Sequence, residues 1–166
     1  SRLFFFFADK DAGGRRSGRA ATDLDRNVTG FNWSPDGTKI VFSHVKSSVA
    51  DHWPTADVSV VDVATGKSTP FAATPAAETS PIYSPDGKWI AYESNESGRV
   101  EIYVQPFQRP GDRVQISTNG GAEVRWRRDG KELFYIGLDE QLTGVPTTFS
   151  ANGESIKVGS PSPLFP

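Results

Sequence analysis

Three apolar runs, KIVFS from Lys39, WIAYE from Trp89 and ELFYIG from Glu132, each follow the same polar interruption. The interruption is an Asp-Gly pair whose Asp lies three positions after an aromatic residue, Trp33, Tyr83 or Trp126, and a second aromatic, Phe42, Tyr92 or Tyr135, stands nine positions after the first. The register recurs after 50 and then 43 residues. Apolar runs without alternation are the pattern of strands covered on both faces. The interruption reads as a tight hairpin turn. Pro35 and Pro85 preset the first central position, Asp36 and Asp86 suit the next, and Gly37, Gly87 and Gly130 admit the left-handed backbone that closes a hairpin. Ser34 and Ser84 open two of these turns, and Asp129 precedes Gly130 in the third.

The remaining alternations complete each copy. TGFNWS, KIVFSH, DVSVVDV and KSTPFAA predict four strands in the first, with ATGK as the last turn. ETSPIYS, WIAYES, RVEIYVQPF and DRVQIST predict four in the second, and AEVRW, ELFYIG, QLTGVPTTF and ESIKVG four in the third. Four antiparallel strands in every 40–50 residues is the pattern of a β-propeller blade, a unit that cannot bury both its faces alone. The predicted fold class is therefore all-β, with blades over 28–74, 75–120 and 121–166. Gly 16 and Pro 12 agree with turn-rich β-structure. The one Ala-rich stretch, from Pro70 to Pro81, is broken by Pro75 and predicts a connection rather than a helix.

The Ser-Pro-Asp-Gly turn flanked by aromatics resembles the WD40-like repeat of TolB-type propellers, which also recurs in the propellers of prolyl-oligopeptidase-type peptidases. The stretch from WIAYESNESGRVEIYVQPF to SPSPLF is similar to propeller segments of large bacterial serine/threonine kinases. Arg127 and Arg128 stand where the other copies carry Ser-Pro. The resemblance implies a propeller and an extracytoplasmic, periplasmic setting. For function it implies two alternatives: a non-catalytic module that binds protein or peptide, or the substrate-gating propeller of a serine peptidase whose catalytic domain lies outside this chain.

RLFFFFADKD near the start aligns with ELFYIGLDE, which predicts an incomplete blade over 1–27 that enters on its second strand. The expectation is an arc completed by a homo-oligomer or by a missing remainder of the ring, since an uncovered blade face would exceed the apolar patch usual on a monomer.

Charge and residue inventory narrow the chemistry. Lys and Arg total 18 against 20 Asp and Glu, a net charge of -2, so the footprint of a nucleic-acid partner is missing. No apolar stretch approaches a membrane span. With no Cys, two His and no G-x-S-x-G elbow, the sequence offers no nucleophile–base pair and predicts no enzyme activity and no cofactor. His44 ends a predicted strand and reads as structural. Asp9, Asp11 and Gly14 match three positions of a calcium loop, but Gly13 and Ala20 break the rest, so no metal site is predicted. The basic clusters Arg15, Arg16, Arg19 and Arg125, Arg127, Arg128 read as solvated loops, and the sequons at Asn27, Asn32 and Asn95 as chance.

One feature breaks the repeat. The first copy is 7 residues longer than the second, and the surplus falls in VKSSVADHWPTADV between its second and third strands. Loops on a rigid scaffold carry function. His52, Trp53 and Pro54 are therefore the candidate partner-binding residues, with Trp53 as the anchor.

Overall fold

The computed structural model describes residues 4–10, 16–20, 27–45, 55–109, 111–150 and 152–165, with side-chain surroundings from residue 27 onward. Among these residues there is no α-helix, and none is available to cross a membrane. Strands β1 (Phe4–Lys10) and β2 (Arg16–Ala20) pair antiparallel. The first four-stranded sheet holds β3 (Asn27–Trp33), β4 (Lys39–Val45), β5 (Asp57–Asp62) and β6 (Ser68–Ala72) in chain order. The second holds β7 (Glu78–Tyr83), β8 (Trp89–Ser94), β9 (Glu101–Pro106) and β10 (Val114–Gln115). The third holds β11 (Ala122–Trp126), β12 (Glu132–Ile136), β13 (Leu142–Phe149) and β14 (Ile156–Val158), and β15 (Ser162–Pro163) also pairs with β13. These up-and-down sheets are blades of a partial β-propeller.

The repeated turn forms because its side chains satisfy its own backbone. Gly37, Gly87 and Gly130 have φ of 71°, 70° and 71°, which a β-carbon would strain. Each donates its N–H to the carbonyl three residues back, at 2.9 Å. Ser34 Oγ donates to Asp36 Oδ1 at 2.6 Å and accepts from Lys39 N–H at 2.9 Å, and Ser84 does the same for Asp86 and Trp89. In the third copy Arg127 replaces the serine yet preserves the turn. Its guanidinium donates to both Asp129 oxygens at 2.8 and 2.7 Å and to Glu132 at 2.9 Å. A fourth copy, unpredicted, joins β13 to β14. There Ser150 Oγ donates to Asn152 Oδ1 at 2.6 Å, and Gly153 has φ 70°.

Burial follows the apolar runs. Every residue of β8 is buried, and in β4 only Lys39 is half-exposed. Val41, Val58 and Val60 of the first sheet pack on Tyr83, Ile90, Tyr92 and Tyr103 of the second. Trp89, Ala91, Ile102 and Val104, from the other face of the second sheet, pack on Val124, Leu133, Tyr135 and Val145 of the third. Burying each of the larger side chains stabilises the fold by roughly 1.5–3 kcal/mol.

Three expectations need correction. ELFYIG was expected to be covered on both faces, but β12 alternates: Leu133 and Tyr135 are buried while Glu132, Phe134 and Ile136 are half-buried. The fully buried face is the one toward the second sheet. The last strand of the second sheet is two residues long, because Ser117 turns inward to bond Glu101 and bends the chain away. The last strand of the third sheet is split into β14 and β15, with Gly159 lying against Pro146 between them.

Candidate ligand-binding groove

The sheets expose two ends. At one end lie the connections between sheets and between second and third strands, shown by the bonds from Ala77 N–H to Asn95 Oδ1 (2.8 Å) and from Gly121 N–H to Val100 O (3.0 Å). The repeated turns close the other. At the connection end the buried acids Glu78, Glu93 and Glu101 serve the backbone and its hydroxyls. Glu101 accepts from the Ser117 hydroxyl and from Gly120 N–H at 2.9 Å. Glu93 accepts from Glu123 N–H at 2.8 Å, tying the second sheet to the third. Glu78 accepts from the Thr74 hydroxyl, and burial pushes its carboxyl above the usual range. Asn32 Oδ1 accepts from Tyr83 N–H at 3.0 Å, so one sequon asparagine ties the first sheet to the second, while Asn95 extends the β7–β8 pair within the second sheet. His44 is buried, with Nε2 2.8 Å from Ser59 Oγ and its ring 5.2 Å from Phe42, a structural role. Among the described residues no three His, Asp or Glu side chains are placed to hold a metal.

The turn end holds an open groove. A groove of about 580 Å³ runs between the outer strands of the first sheet and the chain leaving β9, bordered by Phe71, Phe107, Pro70, Lys39, Asp62, Lys67 and Arg109. A smaller hollow of about 260 Å³ continues it between the Ser34–Gly37 and Ser84–Gly87 turns, sharing Lys39, Phe107 and Gln108. An aromatic ladder forms the floor. Phe71 meets Tyr92 edge-on at 6.2 Å and Phe107 at 6.2 Å, and Phe107 meets Tyr83 at 5.2 Å. The Tyr83 hydroxyl is buried with no hydrogen-bond partner among the described residues, and burial raises its pKa.

Position is set by the backbone. Phe107 N–H donates to Lys88 O at 2.7 Å, which pins the ring over the interface. Gln108 then adopts φ 62°, a left-handed conformation that costs a non-glycine residue energy and is often retained at functional sites. The kink lets successive side chains serve opposite neighbours. Phe107 packs toward the first sheet, whereas Arg109 stacks 4.6 Å over Trp89 and donates to the carbonyls of Gly153 and Glu154 in the third. On the rim, Lys39 pairs with Asp62 at 3.1 Å, and the Thr65 N–H and hydroxyl hold the same carboxylate. These bonds, the Thr65 ones first, lower the Asp62 pKa from 3.8 to about 2.

Of the sequence-predicted site residues, the turn residues Ser34, Pro35, Asp36, Gly37, Ser84, Pro85, Asp86, Gly87, Asp129 and Gly130 all lie at this end, and several border its hollows. His52, Trp53 and Pro54 lie outside the described residues. The groove itself was missed. Its aromatics come from two repeats and from a connection, and no local motif announces that Phe71 and Phe107 meet.

This architecture defines a β-propeller. The chain belongs to the TolB beta propeller domain family, whose model matches residues 14–160. An uncharacterized protein of Agrobacterium fabrum is 30% identical over 126 residues, covering 74% of this chain and 41% of that protein. The uncharacterized peptidase YuxL of Bacillus subtilis is 27% identical over 141 residues, 80% of this chain and 21% of the peptidase. The chain thus spans less than half the length of these relatives. Among solved structures, a putative TolB from Agrobacterium tumefaciens superposes with TM-score 0.61 at 18% identity, covering 96% of this chain and 62% of that one. The propeller domain of the trilobed protease from Pyrococcus furiosus superposes with TM-score 0.57 at 18% identity, covering 84% and 44%.

Proposed function

We propose that this chain is a non-catalytic propeller module that binds an extended protein or peptide segment, and that it works in an extracytoplasmic setting. The observation that carries the reading is the groove: an aromatic floor pinned by backbone bonds, with charged groups confined to its rim. Binding sites combine an apolar, preformed concavity with a few fixed polar groups in this way. Phe71 and Phe107 offer apolar area at low entropic cost because each ring is already held by another. The acids at the connection end, by contrast, are engaged by hydroxyls and backbone N–H groups, which suits them to scaffolding.

The test is selection of random displayed peptides on the purified chain, followed by the same selection on Phe107→Ser. The reading expects a consensus that the wild type enriches and the variant does not, with no cleavage of the selected peptides. Identical enrichment by both proteins, or turnover of the peptides, would sink it. His52, Trp53 and Pro54, which lie in the sequence between β4 and β5, are proposed as a second contact. Trp53→Ala is expected to weaken binding of a protein partner by roughly 2 kcal/mol while leaving the melting temperature in place.

A second reading is favoured by the peptidase relatives. The chain could be the gating propeller of a larger serine peptidase, because YuxL and the dipeptidyl-peptidase 5 of Trichophyton schoenleinii share 27% and 34% identity with it. An open reading frame carrying a hydrolase segment beside these residues would select this reading over the first.

A further inference from the structure

We infer that the groove selects acidic peptides, seating an apolar side chain between Phe71 and Phe107 and a carboxylate against Lys67 on the rim. The inference rests on the peptide-binding reading and adds the chemistry of the ligand. The chain as a whole carries a net charge of -2, yet this corner sets two cationic side chains, Lys39 and Lys67, against the single carboxylate of Asp62. Lys39 already compensates Asp62 at 3.1 Å. Lys67 is exposed and has no ion pair among the described residues, and Arg109 spends its N–H groups on the neutral carbonyls of Gly153 and Glu154 at 2.5 and 2.8 Å. Lys67 therefore remains an uncompensated charge beside the Phe71 and Phe107 rings, where it attracts an anion, whereas Arg109 serves the interface with the third sheet.

The rings supply the rest of the specificity. Phe71 and Phe107 are both half-buried, with centroids 6.2 Å apart and planes tilted by 56°, leaving their outer faces to a ligand. In an extended peptide, alternate side chains point the same way roughly 7 Å apart. An acidic residue two positions from an apolar one would therefore engage rim and floor together.

The probe is a fluorescein-labelled peptide, Gly-Glu-Ser-Leu-Ser-Glu-Gly, compared by fluorescence polarisation with its Gln-for-Glu analogue and with a twelve-residue oligothymidine. At about 0.05 M salt the Glu peptide is expected to bind about tenfold more tightly than the Gln analogue, with the difference collapsing near 1 M as screening shortens to about 3 Å. Lys67→Glu should abolish that preference, while Lys157→Glu, on β14, should leave it intact. Because Lys67 is exposed, a circular dichroism spectrum like wild type is expected for its variant. Equal binding of both peptides would overturn the acidic selectivity while leaving peptide binding standing. A preference that survives Lys67→Glu would place the charge recognition elsewhere and overturn the site. Failure to bind either peptide, or tighter binding of oligothymidine, would overturn the inference; loss of all enrichment in the peptide selection would separately remove the reading beneath it.

Discussion

The two interfaces between sheets are built from the same repeat and end differently. Between the second and third sheets, Trp89, Ile102, Leu133 and Val145 fill the space, and Arg109 closes the turn end by stacking on Trp89 and bonding the β13–β14 hairpin. Between the first and second, tyrosines replace much of the aliphatic filling, and the turn end opens into the groove. A single kink at Gln108 divides the labour between Phe107 and Arg109. One interface is thereby sealed for stability, and the other is left with rings and charges facing out. In this repeat protein a groove opens where one interface lacks the closure its neighbour makes.

If that division is real, the sealed interface should be the costlier one to damage. Trp89→Ala removes a side chain that is 1% exposed, together with the seat of Arg109 and a ring contact to Phe149 at 5.7 Å. It should lose about 3–5 kcal/mol, seen as a melting temperature lower by about 10 °C. A drop confined to two or three degrees would mean that the interface repacks and is not the stability centre. Gly87→Val strikes the open interface instead. It forces a β-branched residue to φ 70° and sets its β-carbon 3.4 Å from Pro35 Cδ, and should cost about 2 kcal/mol by denaturant titration.

How much of this could be read from the sequence depends on the distance over which each feature is encoded. The turn is written within six residues, so Ser84, Asp86 and Gly87 gave away the hairpins and, through their spacing, the sheets. In the third copy Asp129 and Gly130 announced the turn but not its chemistry: a guanidinium fork from Arg127 holding Asp129 does the work of a serine hydroxyl. The turn at Ser150 was hidden by Asn152 standing for Asp. Burial on one side only of β12 could not be read, because Phe134 and Ile136 are as apolar as the buried Leu133. The groove was least legible of all. It depends on Phe71 and Phe107, 36 positions apart, and on a left-handed Gln108 that no glycine or asparagine signals.

Arg109→Ala sharpens the comparison by removing the closure without emptying the core. The lost stacking and two charge-assisted bonds to carbonyls should cost about 1–2 kcal/mol, less than Trp89→Ala because the buried apolar surface stays in place. The same change leaves Lys67 on the groove rim. The variant should therefore show a lower melting temperature with the preference for the acidic peptide kept, whereas Lys67→Glu should lose the preference and keep the melting temperature. Equal melting temperatures for Arg109→Ala and wild type would mean the closure contributes nothing, and the contrast between the two interfaces would reduce to packing alone.

The smallest effect expected is a pH-dependent one at the groove rim. Asp62 is held down to about 2 from 3.8 by the Thr65 N–H and hydroxyl and by Lys39. A carboxylate whose folded pKa is depressed stabilises the fold fully above its unfolded value and loses that contribution as pH falls through its folded value. The gap in melting temperature between wild type and Asp62→Asn should therefore be constant from pH 7 to about 5, and narrow as the pH falls from about 4 toward 2. Because the side chain stands in solvent, the gap should be small and should shrink in salt. Asp129, depressed by the Arg127 guanidinium, should show the same sign at the third turn. A gap that instead widens on acidification would mean that Asp62 is not held by Thr65 and Lys39, and that the cationic balance assigned to the groove is wrong.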